Sequence, residues 1–218
     1  MSFLQELTAK SWATEQGQVD NLYAGRTSSG LAKKLALRVF LAVVAVLFML
    51  LVTAYGGRMA YEDWRPAPQV SLLWANTFVL ILSSIALQWA LYSVRRSRMD
   101  ATRAGLLAGG AFTVVFLFGQ VLAWRQLGAM VYFDVSNPAI AFFYLITGVH
   151  GLHLLGGLVA WGRTVVRVWG DFDVAKVRQS VELCTLYWHF LLLVWLVLFG
   201  LLFTGNNLDI LLKLCGIR

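Results

Sequence analysis

Three histidines and one glutamate are the residues of this chain whose types and spacing could do chemistry. His150 and His153 stand three apart, which puts both on one face of a helix. His153 lies about ten residues from the inner end of its apolar stretch and His189 about seven from the inner end of another, so at 1.5 Å per residue their depths agree to within about 5 Å. Two imidazoles from neighbouring helices at matched depth could act as axial haem ligands or hold a metal. The plainer alternative is that each imidazole hydrogen-bonds across a helix interface, and three features favour it. Cys, Asp and further His are absent from these faces; two haems would need four ligands where the chain has only 3 histidines; and both stretches are crowded with large aromatics. Glu182, at the inner end of the last stretch, reads equally well as an interfacial carboxylate paired with a nearby base and as a point of proton capture or lipid head-group packing. Asn76 and Gln120 complete the strongly polar groups set among apolar residues, where such groups are costly and usually face other helices or a partner. No nucleophile with a base, no phosphate loop and no metal cage is visible.

The elements that must position these residues follow from charge. Hydrophobic residues make up 59% of the 218 and charged ones only 13%, where a soluble domain carries about a quarter. Five stretches hold no charge at all: 39–57, 66–94, 104–124, 135–162 and 183–208. Each matches the roughly 20 apolar residues that cross about 30 Å of hydrocarbon. No amphipathic helices remain to cover five buried ones in a soluble core. The fold class is therefore all-α, an integral membrane bundle of five transmembrane helices, with spans at about 37–57, 69–94, 104–125, 138–163 and 182–205. Residues 1–35 form a polar cytoplasmic arm and 36–218 the transmembrane domain. The first span follows that arm and lacks a small-residue cleavage site, so it is no signal peptide.

Basic residues set the orientation. Lys10, Arg26, Lys33, Lys34, Arg38, Arg95, Arg96, Arg98, Arg103, Arg163, Arg167, Lys176 and Arg178 fall on one side, against Arg58, Arg65, Arg125, Lys213 and Arg218 on the other. In short loops this excess marks the inner side, which places the N-terminus in the cytoplasm and the C-terminus outside. Tyr61, Trp64, Trp124 and Tyr132 outside, and Trp89, Tyr92, Trp161 and Trp169 inside, suit aromatic belts. Pro66 and Pro68 divide the first two helices, and Asn137-Pro138 supplies an N-cap followed by a first helical residue. Cys184 and Cys215, on opposite sides, read as two small apolar side chains. Glycines in span three (Gly105, Gly109, Gly110) and span four (Gly148, Gly151, Gly156, Gly157) place those two spans at the centre of the bundle.

Two segments also resemble a known family. Phe142-Phe143-Tyr144-Leu-Ile-Thr147-Gly148-Val-His150-Gly151-Leu-His153-Leu-Leu-Gly156-Gly157 is similar to the TG-x-HG-x-H helix of subunit III of the haem–copper cytochrome oxidases. Glu182-Leu-Cys-Thr-Leu-Tyr187-Trp188-His189-Phe190, followed by Val194-Trp195-Leu196, resembles that family's E-x4-YWHF-x4-W helix. Weaker matches are Asn76-Thr77 with Ser83-Ser84, and Gly119-Gln120 with Trp124. The resemblance runs in order across spans two to five, and the five helices agree with the short bacterial form. It implies a chain with no catalytic centre and no cofactor of its own, with haem and copper in the partner subunits. It implies bound phospholipid, docking beside the catalytic subunit I and other oxidase subunits with a larger respiratory supercomplex left open, no nucleic acid, and a place in the bacterial cytoplasmic membrane. It implies support of proton uptake and turnover lifetime in oxygen reduction coupled to proton pumping. His150, His153, Glu182, Tyr187, Trp188, His189, Gln120 and Asn76 carry over as a lipid-binding or structural polar core. Two family carboxylates are missing, at Ala123 and Leu192. The alternatives are an accessory subunit of a nitric oxide reductase and, of another class, a free-standing membrane haem b protein.

Overall fold

The computed structural model describes residues 27–65, 67–68, 70–130, 137–170 and 174–204. Regular structure among them is entirely helical: α1 (Thr27–Arg58), α2 (Leu72–Arg95), α3 (Met99–Met130), α4 (Pro138–Trp169) and α5 (Val174–Thr204). All five are long and apolar enough to cross a bilayer. Lengths of 24 to 32 residues correspond to about 36–48 Å, more than the hydrocarbon needs. The helices therefore run past the uncharged stretches and carry their charged ends into the interfaces. α1 starts at Thr27, ten residues before its expected span, because Leu31-Ala-Lys-Lys-Leu-Ala-Leu favours helix by propensity alone. Residues 1–26 lie outside the described residues, as do Tyr132, Asp171, Asp173 and Cys215.

The chain divides into two units between Ala42 and Val43. Of the first, the described part is the N-terminal half of α1, whose Leu31, Leu35, Val39 and Phe40 are exposed. In the second, Val44, Phe48, Tyr55 and Met59 of α1 and its end join Ile146 of α4 and Val194, Leu198 and Leu201 of α5 in one apolar cluster.

Loop chemistry follows local rules. Asn137 caps α4, its side-chain oxygen accepting from the Ala139 amide at 3.0 Å, with Pro138 first in the helix. Its amide nitrogen donates to the Arg65 carbonyl at 2.9 Å, tying the α1–α2 loop to the start of α4. α2 starts at Leu72, a full turn beyond Pro68. Its other end closes in a Schellman turn: the Arg98 amide reaches the Ser93 carbonyl at 3.0 Å and the Ser97 amide the Val94 carbonyl at 3.1 Å, with Ser97 in the left-handed region at φ 57°. Beyond α1, Arg58 grips Asp63 through both guanidinium nitrogens. That bond, with the charge behind it, holds the Asp63 carboxyl below the usual carboxylate range. Since the folded pKa is depressed, the link is in place at neutral pH and is lost as pH falls through that lowered pKa.

Glycine governs how closely the helices approach. A Cβ on Gly105 of α3 would stand 2.9 Å from the Ala86 carbonyl oxygen and 2.9 Å from the Ala90 Cβ, so α2 and α3 touch backbone to backbone. Over Gly109 the space is taken by the Leu87 side chain of α2. Spans three and four were expected at the centre; the close approach that the α3 glycines permit is to α2, the most buried of the five spans. Against α4 the space over Gly110 is filled by the Trp161 indole, and Gly151 and Gly156 of α4 have nothing within 4 Å. A large ring between two helices substitutes for backbone contact, so glycine on one side does not imply it on the other.

Candidate functional site

The polar residues at membrane depth sort into three groups. In the first, Asn76 of α2 donates to the Phe116 carbonyl at 3.1 Å and to Gln120 Oε1 at 3.3 Å, both on α3. Gly119 makes this possible: a side chain there would occupy the place of the Asn76 carboxamide oxygen.

The second group surrounds His150, which is fully buried. Its Nε2 stands 3.2 Å from the Leu191 carbonyl of α5. A carbonyl only accepts, so Nε2 carries the proton. The ring lies 5.0 Å from Trp195, 5.9 Å from Phe116 and 6.4 Å from Phe48. The third group lies along α5: Tyr187 donates its hydroxyl to the His153 carbonyl at 2.9 Å, Trp188 reaches Thr113, and His189 stands 2.6 Å from Ser84 Oγ and 3.1 Å from Gln88 Oε1.

Tryptophan and threonine recur as a unit. Trp124 donates to Thr147 at 3.0 Å (α3 to α4), Trp188 to Thr113 at 2.9 Å (α5 to α3), and Trp195 to Thr77 at 2.9 Å (α5 to α2). Each of these threonines gives its own proton to the carbonyl four residues back: Phe143, Gly109 and Leu73. The hydroxyl oxygen is thereby left as a pure acceptor for the indole. Ser83 joins the middle link, 2.8 Å from Thr113 and 2.7 Å from the Gly109 carbonyl. Trp161 completes the pattern by donating to the Leu106 carbonyl at 2.9 Å. Trp124 and Trp161, expected in the aromatic belts, donate their indole nitrogens to helix partners, while Tyr61, Trp89, Tyr92 and Trp169 are exposed.

His150 and His189 therefore hydrogen-bond across helix interfaces, whereas His153 was expected to do so and bonds to its own helix instead. His153 and His189, matched in depth, do not face one another. The α5 residue that meets His153 is Tyr187, two positions before His189, and two helical steps turn a side chain by about 200°. His153 Nδ1 stands 2.8 Å from its own Val149 carbonyl, its ring 5.5 Å from Phe48, while His189 points to α2. Among the described residues no three His, Cys, Asp or Glu side chains converge as a metal site would require. Glu182 is half-buried in the N-terminal third of α5, and Arg167 of α4 donates to Ser180, two residues before it, at 2.8 Å. Ala123, where the resembling family often has a carboxylate, is completely buried.

What the geometry offers is a set of interhelical ties. Comparison with known proteins says what kind of bundle they hold. The profile of the family described as "Cytochrome c oxidase subunit III" matches residues 62–205. The chain belongs to this family. It is 32% identical over 178 residues to "Cytochrome c oxidase subunit 3" of Thermostichus vulcanus, covering 78% of this chain and 85% of that one. It is 32% identical over 148 residues to "Probable cytochrome c oxidase subunit 3" of Mycobacterium tuberculosis, covering 65% and 71%. A crustacean relative, "Cytochrome c oxidase subunit 3" of Artemia franciscana, is 28% identical over 138 residues, covering 62% and 52%.

As a subunit III, the chain is a multi-pass membrane protein of an oxidase complex. Thr113, buried in the core, and Gln88, exposed beside α5, escaped the sequence reasoning. Thr113 and Gln88 carry bonds to α5, yet neither stands out by type: threonine is common in membrane helices, and Gln88 sits six residues from the first interfacial charge cluster's edge at Val94. The signal that would find Gln88 is its four-residue spacing from Ser84, which puts both on one face of α2.

Proposed function

We propose that this chain is the non-catalytic subunit III of a haem–copper terminal oxidase, docked beside the catalytic subunit, where it retains phospholipid and sustains proton uptake and turnover lifetime. The observation that carries the reading is the family match over residues 62–205, which takes in α2 to α5, read with the use of the polar core. His150, His153, Tyr187, Trp188, His189, Asn76 and Gln120 are hydrogen-bonded to other helices or to their own, so they hold a scaffold and leave redox chemistry to the partner's haem and copper. Glu182 and Asp100, among the basic residues of the inner loops, supply carboxylates that can exchange protons and attract lipid head groups near a proton entry.

Depletion of the chain from the native enzyme tests this. The haem and copper spectra of the remainder should be unchanged, and turnover should begin normally. It should then slow as pH rises, because proton supply becomes limiting, and the enzyme should inactivate during catalysis. Added anionic lipid should not fully restore it. Loss of haem or copper would make the chain an assembly factor, and an unchanged pH profile and lifetime would refute the proton role. A nitric oxide reductase as the co-purifying partner would refute the oxidase assignment.

The orientation is part of the proposal. With most basic residues on the N-terminal side, a reporter active only in the cytoplasm should give signal at the N-terminus and none when fused after Arg218. Strong signal at Arg218 would overturn it.

A further inference from the structure

Asn76, Gln120 and His150 form a hydrogen-bonded line across the bundle with one break in it. The Phe116 carbonyl can only accept, so the Asn76 atom facing it is the amide nitrogen, which also donates to Gln120 Oε1. That orients the Gln120 amide and leaves its Nε2 over as a donor. In the neutral His150 ring, Nε2 donates to the Leu191 carbonyl, and Nδ1 is left over as an acceptor. Both atoms are buried, and neither has a partner among the described residues.

The two residues stand at one level on facing helices. Trp124 of α3 bonds to Thr147 of α4, and Trp161 of α4 to the Leu106 carbonyl of α3, which sets the antiparallel pair in register. Gln120 lies four residues before Trp124 and His150 three after Thr147, about 6 and 4.5 Å along the axes in the same direction. Each spacing keeps to the face that makes the bond. Phe116 lies against both groups, its carbonyl accepting from Asn76 and its ring 5.9 Å from His150.

The chemistry of the two atoms selects what fits between them. Gln120 Nε2 needs an acceptor and His150 Nδ1 needs a donor, so the occupant must be both. An anion cannot donate, and a cation is repelled by the amide protons. With Gln120 3% exposed and His150 0%, neither a lipid nor another chain can reach in. Water accepts, donates and is small enough, and buried water commonly serves polar groups of this kind.

We propose that one buried water bridges Gln120 Nε2 and His150 Nδ1. It closes the line Asn76–Gln120–water–His150–Leu191 and so ties α2, α3, α4 and α5 together. Every proton in that line points toward α5, so the bonds polarise one another in one sense. The test combines a map of the native complex fine enough to show ordered water with magnetic resonance of the full chain in nanodiscs, its 3 histidines isotope-labelled at nitrogen. The map should place a water within about 3 Å of both atoms. The His150 Nδ1 resonance, assigned by its loss in His150→Phe, should lie upfield of a free unprotonated nitrogen. Gln120→Met, which removes the donor at similar length, should shift it downfield and abolish the water density. A direct bond between the two side chains, or ordered water elsewhere in the map and none here, would overturn the bridge. So would a resonance unmoved in Gln120→Met; if that variant fails to fold, the wild-type map and resonance decide.

Discussion

Trp195→Ala will lower the unfolding free energy of the chain by about 3–5 kcal/mol, the range for deleting a buried aromatic. Trp195 is completely buried on α5. It stands edge-on to Phe116 at 4.9 Å, tilted over His150 at 5.0 Å, and hydrogen-bonded to Thr77 at 2.9 Å. Removing the ring empties the junction of α2, α3, α4 and α5 at once. Burial of apolar surface gives little between helices already in lipid, so the loss is one of dispersion contacts and of the indole bond. Trp195→Phe separates the two: it keeps most contacts and should cost only about 0.6–1.7 kcal/mol for the bond. Reversible unfolding in mixed micelles measures both. An alanine variant within 1 kcal/mol of the wild type would show that the ring does not organise the junction.

The second large effect is expected at Gly105. Even a methyl group there meets the Ala86 carbonyl oxygen and the Ala90 Cβ at 2.9 Å, closer than real Cβ atoms come. Neither neighbour can rotate aside, so α2 and α3 must separate. Gly105→Ala should cost about 1–3 kcal/mol by overpacking, and Gly105→Leu should prevent the folded chain from accumulating. Gly151→Ala and Gly156→Ala, with nothing within 4 Å, should instead be neutral or stabilise by up to about 1 kcal/mol through helix propensity. The same micelle assay compares all four. Equal costs at Gly105 and Gly151 would mean that the α2–α3 approach is not close.

These two sites mark where sequence reasoning succeeds and where it stops. The spans were legible because hydrocarbon excludes charge, and exclusion of charge is written along the chain in one dimension. The Asn137 cap was legible because capping is local. The hydrogen-bonded state of the histidines was legible from what their neighbours lack. Rotation about each helix axis was not. Depth matching joined His153 to His189, although Tyr187 is the residue that faces His153. Composition put Trp124 and Trp161 near the helix ends but could not say that their indole nitrogens meet a threonine hydroxyl and a backbone carbonyl of neighbouring helices. Glycines counted equally in α3 and α4, whereas only those opposite small residues of α2 bring backbones together. Function was legible only where spacing and residue type formed long motifs, as around His150 and Tyr187.

The three tryptophan–threonine links have a mechanical meaning. A threonine oxygen sits close to the helix cylinder, and its proton is fixed to the carbonyl one turn below, so each link grips its neighbour at one height. Sliding α5 by a single turn, about 5.4 Å, would carry Trp188 past Thr113 and Trp195 past Thr77 at the same moment, with no second hydroxyl in register to receive either indole. The links resist movement of α5 as a piston. A partner bound along it would feel a rail of constant pitch.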